Sequence, residues 1–105
     1  MASDWPFDDP PNVAVLTTKR IMREDYPILL VVHEDEDEGG EWQFLDGLDL
    51  TEADGSVVGL RTIVSRDATV LELADLPFGW YAERTNVNAG WVRTKMPPIN
   101  EPEDQ

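Results

Sequence analysis

The residues with the most chemistry in them are crowded into one stretch, LVVHEDEDEGGEWQFLDG over positions 30–47. It holds the single histidine, His33, then five consecutive carboxylates, Glu34, Asp35, Glu36, Asp37 and Glu38, then two glycines and Glu41. As a calcium loop, the twelve residues from Asp35 to Asp46 would put Asp35 and Asp37 at the first and third ligand positions and Gly40 at the sixth. The match fails at the fifth position, where Gly39 offers no side-chain oxygen, and at the twelfth, where Asp46 stands in place of the longer bidentate glutamate. No metal site is therefore assigned here.

His33 with its neighbouring acids could also bind zinc or act as a general base, but zinc sites recruit more nitrogen or sulfur ligands than one imidazole supplies. A strand-end histidine hydrogen-bonded to a nearby acid is the plainer expectation. With no cysteine there is no thiolate nucleophile, no disulfide framework and no sulfur-based zinc site. The serines Ser3, Ser56 and Ser65 lie in no nucleophile elbow, and no P-loop, zincin helix or dinucleotide fingerprint is present. A carboxylate enzyme needs one acid raised by an apolar pocket, whereas these acids sit in turn-like, solvated contexts. No catalytic residue and no cofactor is assigned, although a metal- or carboxylate-dependent enzyme around His33 stays as an alternative.

Charge points to binding. The chain has 22 acidic and 8 basic residues, a net charge of −14, and from Glu24 to Leu60 there are twelve acids and no Lys or Arg. Such a surface repels nucleic-acid phosphate and anionic membranes, and it attracts cationic proteins. Glu34–Glu38, Glu41 and Asp46 are the candidate partner-binding residues. No apolar stretch approaches the ~20 residues of a membrane span, and the opening MASDWPFDDPPN lacks the basic start and apolar run of a signal peptide, so a cytoplasmic protein is expected.

The elements that must hold this stretch follow from local pattern. At 105 residues one domain is expected, burying roughly two thirds of its unfolded surface. Residues 1–12, with Pro6, Pro10 and Pro11, read as a flexible acidic arm, 13–95 as the domain, and 96–105 as a flexible acidic tail. Val13–Thr17 reads as a strand, and Thr18 caps a short helix KRIMRE that ends before Tyr26-Pro27. The apolar run Ile28–Val32 suggests a central strand covered on both faces. Glu34–Gly40 then turns into Trp42–Leu45 as a hairpin partner, with Trp42 and Phe44 on one face.

Val57-Val58 make a short strand end, and Leu60, Ile63 and Val64 share a helical face. Asp67 caps a second helix in which Val70, Leu73 and Ala74 repeat that spacing, with Thr69 and Glu72 in capping-box register. Leu76-Pro77-Phe78-Gly79 stops it. Trp80–Thr85 and Trp91–Thr94 form a last strand pair around the Asn86–Gly90 turn. Together these indicate an α+β fold with a small mixed or mainly antiparallel sheet and two to three short helices. Trp42, Phe44, Gly79, Trp80 and Trp91 are structural positions, the tryptophans in the core or at its edge. Trp5 either folds back onto the domain or stays open to a partner.

The segments TTKRIM, PILLVVHEDEDEGGEWQFLDG and VVGLRTIVSRDATVLELADLPFGWYAER, with Gly90-Trp91, resemble the bacterial immunity protein 33 family over roughly residues 13–94. The resemblance implies a small α+β protein that neutralises a toxin of a bacterial toxin system, and it transfers no catalytic residue and names no toxin. An acidic inhibitor suits a basic toxin groove, because complementary charge speeds capture and helps specify the partner. The alternative within the binding class is a housekeeping or regulatory domain with no toxin partner.

Overall fold

The computed structural model describes residues 5–48 and 50–96. The fold is α+β, a six-stranded mixed sheet in the order β4-β1-β3-β2-β5-β6 with short helices on one face. Its strands are β1 (Ala14–Thr18), β2 (Leu30–His33), β3 (Trp42–Leu45), β4 (Gly55–Gly59), β5 (Trp80–Glu83) and β6 (Val92–Lys95). All pairings are antiparallel except β1 with β3. The hairpin expected between β2 and β3 forms, with His33 opposite Trp42 and Val31 opposite Phe44. The last strand pair forms too, with Trp80 opposite Lys95.

Helix α1 (Lys19–Glu24) starts where the sequence says it should. The Thr18 hydroxyl accepts the Ile21 N–H at 3.1 Å, and Asp25 closes the helix in the left-handed conformation at φ 61°. Helix α2 (Leu60–Arg66) buries Leu60 and Ile63, the face expected of that spacing. Residues 68–73 form the expected second helix, wound as a 3₁₀ helix. Asp67 alone caps it, bonding the Thr69 N–H and hydroxyl at 3.0 and 2.6 Å, so the capping box between Thr69 and Glu72 is not made.

The core lies between the helices and one sheet face: Val15, Val31, Trp42, Phe44 and Ala82 from strands meet Ile21, Leu60, Ile63, Val70, Leu73 and Leu76. β2 is interior, as expected, but its cover is one-sided. Val31 and His33 are buried while Leu30 and Val32 are half-buried, because the helices all pack on the other face. The largest correction concerns the arm. Residues 5–12 lack regular structure, as the prolines require, yet Phe7 is only 5% exposed and stacks edge-on against Trp42 at 5.3 Å. Trp5 packs beside it at 5.6 Å, so the described part of the arm belongs to the domain. The tail over 97–105 lies outside the described residues.

Two arginines, Arg84 and Arg20, tie the elements together through ion pairs. Arg84 is buried, donating to Ile28 O at 3.0 Å, Thr69 Oγ1 at 3.1 Å and Asp67 Oδ2 at 2.6 Å, with its guanidinium 4.2 Å above the Trp91 ring. Such an arginine is tolerated because its donors are matched and its charge is paired. Arg20 clasps Asp46 through two bonds of 2.7 and 3.2 Å and reaches Asp54 at 3.1 Å.

Candidate functional site: an acidic turn beside an exposed aromatic ring

The acidic stretch is an ordered turn between β2 and β3. Asp35 supports it, its Oδ1 accepting the Asp37 N–H at 3.0 Å and its carbonyl accepting Glu38 and Gly40 N–H at 2.8 and 3.0 Å. Residues Glu36–Glu38 make one 3₁₀ turn, closed by Gly39 at φ 108° and Gly40 at φ 66°. Positive φ is the reason for the two glycines. Glu34 is drawn aside to accept a bond from the Gln43 amide. This leaves Glu36, Asp37, Glu38 and Glu41 exposed, and none of them makes an ion pair among the described residues.

Asp46 does not belong to this surface. It is 4% exposed, held by Arg20, and accepts the Leu48 N–H at 3.0 Å. Burial opposes its ionised form most strongly, but the Arg20 and Leu48 bonds outweigh that and hold its pKa below the usual carboxylate range. The candidate partner-binding set thus loses Asp46 to a structural role, Glu34 is half-buried on Gln43, and Asp35 stays exposed while its carboxylate braces the turn.

The structure adds a residue the sequence reading treated only as part of a helix stop. Phe78 enters β5, which pairs with β2 so that His33 faces Trp80, and this places the 76–79 segment at the same sheet end as the acidic turn. Its ring rests against Gly40, where a Cβ would meet Cε1 at 2.7 Å, and yet Phe78 is 51% exposed. Gly79, at φ 81°, lies close to the Asp35 carboxylate and bonds His33 O through its N–H at 2.8 Å. The signal available in sequence was an aromatic between proline and glycine, where a turn displays its side chain.

His33 is buried beneath this surface. Its ring stacks on Trp42 at 3.8 Å and contacts Phe78 at 4.6 Å. Nδ1 lies 2.7 Å from Leu76 O, and since a carbonyl only accepts, the proton is on Nδ1. The expected acid partner is replaced by this carbonyl, and Nε2 finds no partner among the described residues. Among the described residues no three His, Asp or Glu side chains converge as a metal site. Of the structural positions, Trp42 and Phe44 are buried, and Trp80 and Trp91 pack at the core margin. Trp42 Nε1 donates to Asp9 Oδ2 at 2.9 Å, a further tie to the N-terminal segment.

Comparison of the chain with family models, curated proteins and solved structures gives no match. No helix among the described residues is long and apolar enough to cross a membrane.

Proposed function

We propose that this chain is a protein-binding module that captures a basic protein, in the manner of an immunity protein neutralising a toxin. Glu36, Asp37, Glu38 and Glu41 supply the attraction and Phe78 the anchor. The observation that carries this reading is Phe78, a half-exposed ring seated on the glycine that closes the acidic turn. Large aromatics at the centre of a polar rim are where binding energy concentrates in protein interfaces. The surrounding carboxylates steer a cationic partner and occupy the place that substrate phosphates take in a nucleic-acid-cleaving toxin.

The burial of the His33 ring, stacked on Trp42 and covered by Phe78 with no carboxylate bonded to it among the described residues, favours binding over catalysis. The test is capture from lysate of the source organism at low salt, with elution by salt and identification by mass spectrometry. A single basic protein, retained by the wild type and lost by a variant with Gln or Asn at the four exposed acids, supports the reading. Equal retention by that variant contradicts it.

A further inference from the structure

We infer that the free edge of β4 is a self-association site, pairing two copies of this chain antiparallel about a two-fold axis through Val57. The ladder between β1 and β4 is bracketed by Lys19 N–H to Asp54 O at 2.8 Å and Leu60 N–H to Val13 O at 2.9 Å. Alternate residues of a strand direct their backbone groups to opposite sides. Asp54, Ser56, Val58 and Leu60 therefore point toward β1, and Gly55, Val57 and Gly59 point outward from the sheet's terminal strand. The outward set is symmetric about Val57. A second copy laid antiparallel sets Val57 against its own counterpart and Gly55 against Gly59, each as a hydrogen-bonded pair. Among the described residues only the Gly55 N–H of this outward set is already engaged, in a long 3.4 Å contact to Glu52 O.

The two sheet edges are treated differently. Proteins blunt exposed edges with charge, proline or bulges. β6 carries Arg93 and Lys95, whereas β4 is Gly-Ser-Val-Val-Gly, uncharged along its length, with Val57 69% exposed. Charge complementarity identifies the occupant. Arg61 follows one end of β4 and the exposed Glu52 precedes the other, and neither makes an ion pair among the described residues. Antiparallel self-pairing brings each Arg61 toward the other copy's Glu52.

A five-residue edge buries less than the ~800 Å² per partner of a standard interface, so the dimer forms reversibly with concentration. Two copies of net charge −14 repel at long range, so association strengthens with salt, the opposite of capture of a basic partner.

Sedimentation equilibrium of the intact chain over a wide concentration range, at about 0.1 M and about 1 M salt with Debye lengths of ~10 and ~3 Å, tests this. The average mass is expected to climb toward twice the chain mass, further at high salt. Val57→Lys sets like charges face to face and Val57→Pro deletes an outward N–H without touching the ladder to β1; both are expected to stay monomeric while melting like the wild type. Val92→Lys, the same change at a 60% exposed valine of the other edge, is expected to dimerise as the wild type does. A wild type that remains monomeric throughout, or a Val57→Lys chain that dimerises as readily as Val92→Lys, overturns the inference.

Discussion

Phe78 and Gly40 are in such close contact that a single added carbon at position 40 would fall 2.7 Å from the Phe78 ring. A glycine of the acidic turn is thus the seat of the exposed aromatic, and the two halves of the candidate site hold one another in place.

Gly40→Ala should therefore cost more than backbone strain. The left-handed conformation at φ 66° costs a non-glycine residue about 1–2 kcal/mol, and the new Cβ also pushes the ring away. Gly39→Ala, where the nearest side-chain atom is Glu41 Cγ at 3.9 Å, carries only the strain. Urea denaturation should show both as destabilised, with partner binding further reduced in Gly40→Ala alone.

Phe78→Ala should separate binding from folding. A half-exposed ring contributes little to stability, so the melting curve is expected to shift by about 1 kcal/mol or less, within the range of surface changes. Partner affinity is expected to fall by about 2 kcal/mol or more, roughly thirtyfold, as for an interface anchor.

Arg84→Met should be among the most damaging single changes. It leaves Asp67 Oδ2 and the Ile28 carbonyl without their Arg84 donors and removes the cation from the Trp91 ring. Breaking a buried pair by removing one partner costs about 3–5 kcal/mol, which chemical denaturation would register directly.

Acid should unfold the protein through Asp46 and Asp67. Burial opposes ionisation of both, but Arg20 and the Leu48 N–H at Asp46, and Thr69 and Arg84 at Asp67, hold their folded pKa values below normal. A depressed carboxylate stabilises the fold fully above its unfolded pKa near 3.9, and that contribution is lost as pH falls toward the lower folded value. Stability is expected to drop steeply below about pH 4 in the wild type and less steeply in Asp46→Asn, which starts from a lower plateau. Thermal melts across that window measure both slopes.

Where the fold was legible in sequence, the signal was local. The Thr18 cap, the helix it opens, the β2–β3 hairpin and the alternation of Trp42 and Phe44 follow from neighbours within a few residues. Insertion of β1 between β3 and β4, parallel to one and antiparallel to the other, depends on pairing across long loops and left no local mark. Asp46 looked like one more surface acid because its partner, Arg20, lies 26 residues away. Phe7 was hidden by prolines that forbid regular structure but not burial. At the candidate site, the acidic run was plain, while Phe78 became visible only when strand pairing set it against Gly40.

The most direct measurement is the affinity of the captured basic partner as a function of salt, for the wild type and for the chain with Glu36→Gln, Asp37→Asn, Glu38→Gln and Glu41→Gln together. These side chains are exposed and unpaired among the described residues, so folding should be unchanged. The expected result is at least tenfold weaker binding with a shallower dependence on salt. Unchanged affinity with an unchanged salt slope would remove the acidic turn from the interface.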